Sequence, residues 1–556
     1  MRIIIAVAVM FFSLSSSAQS TIGLMQYDNQ NMDGYVLFTG ISSTKTYLVD
    51  KCGRQVNQWS SSYRPGLSVS LLPNSDLFRT GFLNSSYFGT GGGKGGVLEK
   101  YNWAGNLLWS YQISDSTQCQ HHDAMVLPNG NILAIVWERI TSAQATQAGK
   151  NPAVTALLNN QEVWSEKIVE IQPLGINSAN IVWQWNAWDH LIQDFDNTKD
   201  NFGVVNQHPE LLNVNYVLQG PPTNSDWLHL NAIDYNPVTD QIIVSCHSFS
   251  EFWIIDHSTT TAQAASHTGG NAGKGGDLLY RWGNPIAYGR GVANDQKLFK
   301  QHHATFIKPG YPNAGKVSVF NNGVNRPGGN ASSVDIVDIA QAGFPYTIGA
   351  TTPYLPNATS WSYFAANPGS FYAPNISGVY PLANGSFMIT NGPKGEIFEI
   401  DSTGTTKWRY INPVNNTGAM TQGTTPTLNT VFRAEFYTPS YPAFTSLTLT
   451  PTTEIELNPT VPSLCSIATG IADNIEANFN IYPNPIQNGN DLTIELNSTK
   501  DFQVELVNSI GQQIYFTTIF KQSNLSVLRL PYMIAGIYFL KINSGPDFYY
   551  RKIIVN

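Results

Sequence analysis

The chain has 556 residues, of which 12% are charged and 12% aromatic, and a formal net charge of −8. Its length allows more than one domain and a large core. The acidic balance excludes a general nucleic-acid binder, and abundant Gly, Asn, Ser and Thr favour short strands and tight turns over helices.

The first element in chain order is a secretory signal over residues 1–18. Arg2 supplies the positive start, Ile3–Phe12 the apolar stretch, and Ser16-Ser17-Ala18 the small residues before Gln19. That stretch is too short to cross a bilayer, and no later segment has about 18 uninterrupted apolar residues, so an exported protein without a membrane span is expected. Four cysteines, Cys52, Cys119, Cys246 and Cys465, lie far apart. One pair can oxidise outside the cytoplasm, but the spacing does not choose it, and a thiolate metal site is not indicated.

From residue 19 to 445 a hairpin unit repeats. A short apolar strand leads through a Gly turn to a strand ending in Trp. Tyr47-Leu48-Val49-Asp50 leads through Gly53 to Trp59, and Leu98 to Tyr101 through Gly105 to Trp109. Val169-Glu170-Ile171 leads through Gly175 to Trp183 and Trp185. Trp253 to Asp256 leads, after a Gly-rich insertion, to Trp282, and Ile397 to Asp401 through Gly404 to Trp408. A weaker copy starts at Val334. A second hairpin type alternates with these at Leu72-Pro73-Asn74, Leu127-Pro128-Asn129-Gly130, Tyr235-Asn236-Pro237 and Leu382-Ala383-Asn384-Gly385. Two hairpins make one four-stranded blade, and about six such units predict a six-bladed β-propeller. A β-sandwich with chance similarity among hairpins is the rival reading. Asn129-Gly130 suggests a two-residue turn. Helical signals are thin, with short helices suggested at Ala187–Asp196 and Asn294–Gln301.

Histidine is scarce, ten in all, and three recur at one place in the repeat. His122 and His302 each stand eight residues before a turn Gly, and His229 eight before Pro237. In a propeller such positions head the innermost strands, so the three imidazoles converge on one mouth of the central tunnel. If Tyr235 pairs with Gln241, His229 falls opposite His247, with Asn231 on the same face. His121 and His303 should face away and be structural. His190, His208, His257 and His267 carry no pattern and read as loop or surface residues. Thr390, Asn391 and Arg433 are further candidates for the tunnel wall. The runs Gly89 to Gly96 and Gly269 to Gly276 read as blade loops, not phosphate cradles.

Residues 446–475, rich in Thr, Pro and Ser, read as a linker. Over 476–556 about seven short strands predict a small β-sandwich. The tail carries Tyr482-Pro483-Asn484-Pro485, Val507-Asn508-Ser509-Ile510-Gly511-Gln512, Leu530-Pro531 through Ala535 to Lys541, and terminal Lys552-Ile553-Ile554-Val555. It resembles the C-terminal sorting domain of type IX secretion in Bacteroidetes-type bacteria. The resemblance implies a partner in the type IX secretion machinery and passage through the periplasm. It also implies a secreted or cell-surface product, with the tail removed or anchored.

The region before it resembles the bacterial arylsulfotransferases, also six-bladed propellers. The matching motifs are His121-His122-Asp123 with Leu127 to Asn131, Asp226-Trp227 with His229-Leu230-Asn231, Gln301-His302 with Ala304, and Phe432-Arg433-Ala434-Glu435. The resemblance implies a ping-pong transfer of a sulfuryl group from an aryl sulfate to a phenol. It assigns His302 as the nucleophile that becomes sulfohistidine, and His122, His229 and Asn231 as residues that stabilise the sulfate. His247 falls on this set too, but where the family keeps an Arg. A His grips an anion as a cation only when protonated, so activity through His247 is expected to fall as pH rises. No cofactor and no nucleotide donor are implied. Two alternatives stand beside this reading. One is a non-catalytic propeller that binds sulfated or anionic ligands. The other is a metal held by the imidazoles, which lacks an obvious carboxylate on the same face.

Overall fold

The same short turn closes hairpin after hairpin. In the computed structural model Leu127 N–H bonds Asn131 O (2.8 Å) and Gly130 N–H bonds Leu127 O (2.9 Å). The loop is therefore the three residues Pro128-Asn129-Gly130, with Gly130 left-handed at φ +87°, not a two-residue turn. A type I turn finished by a left-handed residue suits Pro, Asn and Gly in that order. Leu72, Leu382, Asp50, Asn102 and Asp401 open turns bonded the same way.

The structure describes residues 20–85, 87–89, 91–217, 224–343, 345–459, 479–496, 501–508, 513–520, 525–544 and 547–556. The signal segment 1–18, Cys465 and the Ser509 to Gln512 part of the tail motif lie outside them. Two compact units divide the chain, Met1–Val461 and Pro462–Asn556.

The first unit is a six-bladed propeller of antiparallel sheets, written here from the inner strand outward. Blade 1 is Val431–Tyr437, Tyr35–Gly40, Lys45–Asp50 and Gln55–Ser60. Blade 2 is Pro65–Leu71, Leu77–Phe82, Gly96–Tyr101 and Leu107–Gln112. Blade 3 is Gln118–Val126, Ile132–Ile140, Val163–Leu174 and Ser178–Asn186. Blade 4 is Leu230–Asn236, Gln241–Cys246, Glu251–Asp256 and Tyr280–Trp282. Blade 5 is His302–Phe306, Val317–Asn321, Ser333–Val337 and Trp361–Tyr363. Blade 6 is Gly378–Pro381, Phe387–Asn391, Glu396–Ile400 and Thr406–Ile411, with Gly23–Tyr27 added at its outer edge. The chain ends thus close the ring twice, which leaves fewer open strand edges.

Side chains stitch each blade to the next, between inner strands in five cases and from the inner strand of blade 1 to the second strand of blade 6 in the sixth. Leu71 N–H donates to Tyr437 Oη (2.7 Å), Ser68 Oγ to Ala124 O (2.9 Å), and Ile233 N–H to Asp123 (3.0 Å). Phe306 N–H donates to Asp234 (2.9 Å), Val379 N–H to His303 Nδ1 (3.2 Å) and Ala434 N–H to Thr390 Oγ1 (3.0 Å). Further out, the Trp that ends a blade donates its indole N–H to a backbone carbonyl beyond the blade boundary. The pairs are Trp59 to Asn102 (2.9 Å), Trp109 to Ser178 (3.0 Å), Trp185 to Gly276 (2.7 Å), Trp282 to Pro356 (2.7 Å) and Trp408 to Lys51 (2.6 Å). This explains the repeated Trp: the ring fills the space between sheets while its N–H satisfies a buried carbonyl.

Both expected helices are shorter than the sequence suggests, single 3-10 turns at Ala187–Asp189 and Ala293–Asp295. The stretch read as linker begins as an ordered strap. Thr452 N–H bonds Gln55 O and Gln55 N–H bonds Thr453 O beside blade 1. Leu457 N–H bonds Met420 O and Gln422 N–H bonds Leu457 O, and Glu456 is buried. Cys52 is disulfide-bonded, while Cys119 and Cys246 are buried free thiols.

The second unit is a seven-stranded β-sandwich. Phe479–Tyr482, Asp491–Leu496 and Leu525–Arg529 form one sheet. Gln513–Ile519, Phe502–Asn508, Gly536–Ser544 and Asp547–Val555 form the other. Leu492, Ile494, Val504, Leu506, Leu540, Ile542 and Ile553 fill the space between them.

Candidate functional site

Where the inner strands begin, the backbone leaves regular β geometry. The inner-strand pairings of blades 2, 3, 4 and 5 all shift register near their start. A left-handed residue stands in or beside each shift: Leu67 (φ +96°), His122 (+48°), His229 (+55°) and His303 (+53°). Non-glycine residues hold such angles only where the surroundings impose them, and a bulge re-aims the side chains around it. The residue in blade 5 that matches His122 by backbone geometry is therefore His303, one place after the residue counted from the turn. His303 goes to the stitch with Val379, and His302 turns its ring to the axis.

The hairpin of blade 4 shows a related offset. Tyr235 pairs with Ile242, not Gln241, but the bulge at Asn231 takes up one residue, so Leu230 pairs with Cys246. His229 and His247 then do face each other, with ring centroids 4.9 Å apart and His247 N–H bonded to His229 O (3.2 Å).

Five imidazoles gather as a result. The His247 and His302 rings lie 5.5 Å apart, His122 and His302 6.1 Å, and His122 and His229 4.7 Å. His121 adds its edge, 4.4 Å from His122 and 5.1 Å from His229. Phe432 of blade 1 lies 5.4 Å from His122 and 6.4 Å from His302. His122 Nε2 and His229 Nε2 are 3.0 Å apart, a contact that needs one proton between them. His229 donates from Nδ1 to Asp226 Oδ2 at 2.5 Å, and Trp137 donates its indole N–H to the other oxygen of that carboxylate at 3.0 Å. His122 Nδ1 is buried with no partner among the described residues.

His302 is held differently. Its Nδ1 meets Asn322 Oδ1 at 2.8 Å. The Asn322 amide nitrogen donates to Ala373 O (2.8 Å) and Ile376 O (3.0 Å), which fixes Oδ1 as the atom facing the ring. His302 must therefore donate from Nδ1, and its lone pair sits on Nε2. The preceding Gln301 is buried and donates to Glu251 O (2.6 Å), Cys246 O (3.1 Å) and Ser245 Oγ (3.2 Å). Asn231 donates to Gln301 O (2.8 Å), and its own Oδ1 has no partner among the described residues. Gln301 and Asn231 thus fix the start of the strand that carries His302.

Burial sets the charges. It pushes the His302 pKa down to about 3, against the opposing bond from Asn322. Burial and the neighbouring rings, His121 first, hold His122 well below the usual imidazole range. Burial, then His229, does the same to His247, which is therefore neutral near pH 7. A fall in activity through deprotonation of His247 is not expected. Asp226 is pulled below the usual range because the charge and hydrogen bond of His229 outweigh the cost of burying it. Glu166 is raised well above its range by burial and then by Asp226. A protonated Glu166 donates to His121 Nδ1 (2.6 Å), and His121 donates from Nε2 to Gly92 O (3.0 Å), its ring stacked 3.6 Å from Trp137.

Two carboxylates therefore reach the imidazoles, contrary to the expectation that none shares their face. His121, His122 and His229 present nitrogens within 4.8 Å of one another, and so do the ligand atoms of His121, Glu166 and Asp226. Those nitrogens already pair with one another, with carboxyl groups or with a carbonyl, the pattern of a proton-sharing network. A second cluster joins His190, His267 and Asp277. His190 is not at the surface: it is fully buried against Trp185 and bonded to Asp277 (2.8 Å) and Ala264 O (2.8 Å). His257 is also tied in, to Asp240 (2.8 Å) and Glu170 (3.0 Å). Arg433 faces inward but is spent on a bidentate bond to Asp123 (2.8 and 2.6 Å). Thr390 is spent on the stitch to Ala434, and Asn391 donates to Glu396 (3.3 Å).

Sequence counting misses Asn322 and Glu166, and it gives Asp226 only as part of a motif, without a role. Asp226 stands three residues before His229 and was within reach of a local reading. Asn322 and Glu166 come from second and third strands, and only the fold brings them in.

Residues 82–419 match the family model for arylsulfotransferase (ASST). The chain belongs to the arylsulfotransferase family. All five candidate residues, His122, His229, Asn231, His247 and His302, fall inside that match, as does Asn322. Residues 480–556 match the secretion system C-terminal sorting domain, so this is a secreted arylsulfotransferase-like protein exported by type IX secretion of Bacteroidetes. No curated protein matches the chain in sequence. Among solved structures it is similar to a streptogramin B lyase at 11% identity, covering 72% of this chain and 86% of that one with a TM-score of 0.33. It is also similar to the periplasmic gluconolactonase PpgL of Pseudomonas aeruginosa at 10% identity, covering 90% and 100%, TM-score 0.34. It is similar as well to virginiamycin B lyase of Staphylococcus aureus at 8% identity, covering 71% and 90%, TM-score 0.32.

Proposed function

We propose that this arylsulfotransferase-family protein moves a sulfuryl group from an aryl sulfate to a phenol by way of a sulfohistidine at His302, with no nucleotide donor. The observation that carries this is the fixed tautomer of His302. Asn322 Oδ1 accepts from its Nδ1–H, burial keeps the ring neutral, and the Nε2 lone pair belongs to a ring facing two other imidazoles, His122 and His247.

In the first half-reaction Nε2 of His302 attacks sulfur. The N–S bond forms as the S–O bond to the aryl group breaks, and the electron pair leaves on the phenolate oxygen. In the acid form of the His122–His229 pair, His229 carries both ring protons, one toward Asp226 and one toward His122. His122 then carries its own proton on Nδ1, which has no partner among the described residues; that proton goes to the phenolate, and the one between the rings stays. In the second half-reaction the acceptor phenol returns a proton to the pair as its oxygen attacks sulfur, and the N–S electrons fall back to Nε2. Positioning and charge stabilisation do most of the work in such transfers, and an imidazole that leaves well suits a covalent carrier.

Where the family resemblance puts an Arg, His247 is neutral and serves as a hydrogen-bond donor. Asn231 positions Gln301 and offers its second amide proton to the sulfate oxygens.

A chromogenic aryl sulfate assayed with and without a phenol tests the reading. Wild type should release colour in an acceptor-dependent way, and His302→Ala should lose at least ~10³-fold in kcat/KM. Tight binding of sulfated ligands with no release of phenol would instead select the non-catalytic binding reading.

A further inference from the structure

Blade 4 carries a Gly-rich insertion between its third and outer strands, residues 257–279. The loop that follows blade 3 meets this insertion at three metal-ligating side chains. His190, His267 and Asp277 bring one ligand atom each within 4.8 Å of one another. Asp277 Oδ1 meets His190 Nδ1 at 2.8 Å and His267 Nδ1 at 2.7 Å. The two imidazole rings stand edge to face, their centroids 5.9 Å apart at 85°. None of the three residues belongs to the imidazole site at the tunnel mouth, and sulfuryl transfer gives none of them a task.

The surroundings fix these side chains as a built site. His190 is fully buried, and its Nε2 lies 2.8 Å from Ala264 O. A carbonyl only accepts, so Nε2 carries the ring proton and the Nδ1 electron pair of the neutral ring points at Asp277 Oδ1. That pair and the carboxylate oxygen repel unless a proton or a metal ion lies between them. An imidazole whose other N–H is held by a backbone carbonyl is also the usual state of a metal-ligating His. Ala264 ends the short helix Thr261–Ala264, whose last carbonyls find no partner within the helix. Trp185 stacks on the His190 ring (5.7 Å, 6°) and donates its indole N–H to Gly276 O (2.7 Å), which holds both the ring and the chain beside it. A Cβ on Gly276 would stand 2.5 Å from His190 Nε2 and 2.0 Å from Ala264 O, so only glycine lets the insertion close over the ring. Asp277 is buried, while the His267 side chain is 60% exposed, which leaves one side of the cluster open to solvent.

We propose that His190 Nδ1, His267 Nδ1 and Asp277 Oδ1 bind one zinc ion, with water as its fourth ligand, and that the ion pins the Gly-rich insertion to the loop after blade 3. Two imidazole nitrogens and a carboxylate oxygen are donors that zinc takes, and three protein ligands plus water complete a tetrahedron. Calcium and magnesium prefer oxygen throughout. Zinc with bonds of about 2.0–2.1 Å sets its ligands about 3.3 Å apart, so both contacts to Asp277 open by roughly 0.5 Å as the ion replaces the proton. The exposed His267 ring has room for that movement. Between Ser258 and Gly276 the insertion holds no apolar side chain larger than alanine. It cannot build a core of its own, and a metal cross-link holds such a segment in place.

The test needs no turnover. Full-length protein is stripped with a chelator, dialysed and titrated with Zn²⁺, and with Co²⁺ as a spectroscopic stand-in. The imidazoles at the tunnel mouth can also take metal, so the readout is the difference between wild type and His267→Ala, a variant at an exposed position outside the core. Wild type should bind one equivalent of Zn²⁺ more than His267→Ala. Its Co²⁺ complex should show the visible bands of a tetrahedral site, which the variant lacks. Lys274 lies within the insertion and serves as a trypsin site. Zn²⁺ should slow cleavage there at least ~10-fold in wild type and leave the variant's rate unchanged. Equal zinc equivalents in the two proteins, or cleavage at Lys274 that Zn²⁺ does not slow in wild type, overturns the proposal.

Discussion

At the residue scale the chemistry turns on one hydrogen bond. Asn322 decides which nitrogen of His302 carries the lone pair, and its own amide is locked by Ala373 O and Ile376 O. Asn322→Ala frees the wrong tautomer and should lower kcat/KM by ~10²-fold. A merely structural role would not move the pH profile, so Asn322→Asp is the sharper variant. A carboxylate on Nδ1 raises the imidazole pKa. Wild-type His302, depressed to about 3, should keep kcat/KM for an activated donor level from pH 8 down to about pH 4. Asn322→Asp should add an acid limb within that range, read directly from the profile. Of this site the sequence shows His122, His229 and His302 through their spacing, and His247 through the hairpin. What it hides has physical causes. A bulge shifts register without leaving a residue signature. Asn322 is one polar residue among many. Glu166 meets His121 only because the fold brings the third strand of the blade to the same face.

At the scale of elements, the Trp-ended outer strands and the bridges between blades carry the stability. Trp109→Phe keeps the ring in its slot but leaves Ser178 O without its donor, which should cost about 1 kcal/mol; Trp109→Ala also opens a cavity and should cost about 3–5 kcal/mol. Denaturant melts check both. A charged bridge runs from blade 3 to blade 4, where His257 lies between Glu170 and Asp240. Burial opposes the charge on His257, but the two carboxylate bonds outweigh it and raise its pKa, while Glu170 is lowered. A raised His contributes stability that is complete below its unfolded pKa of about 6.5 and is lost as pH rises through its folded value. The Tm of wild type should therefore fall on going from pH 6 to above the folded pKa, and His257→Gln should flatten that fall. The Trp repeat and the Gly turns made the blades readable from sequence, because each is local. His257 was unreadable as a bridge because its partners come from two other hairpins.

At the scale of the whole molecule, closure decides what can be removed. Val431–Tyr437 supplies the inner strand of blade 1 and the Arg433 clamp on Asp123, so a chain ending before it loses the ring and should not yield a soluble folded product. A chain ending at residue 475 keeps the strap along Gln55 and Met420, all four cysteines and the whole first unit. It should melt cooperatively with the propeller's Tm unchanged, while losing type IX export. Circular dichroism melts and a secretion assay check the two outcomes. The propeller and the tail were legible in the sequence because both repeat or follow a fixed motif order. The strap over 446–459 was not, since a Thr- and Pro-rich composition does not distinguish a free linker from one bonded to blade edges.

The most direct measurement is to hold the protein with an aryl sulfate in the absence of acceptor, quench, digest and map the modified residue by mass spectrometry. The account predicts one added sulfuryl group on His302, discharged when a phenol is supplied and absent in His302→Ala. A sulfuryl group on another histidine, or turnover with no modified histidine at all, would contradict it.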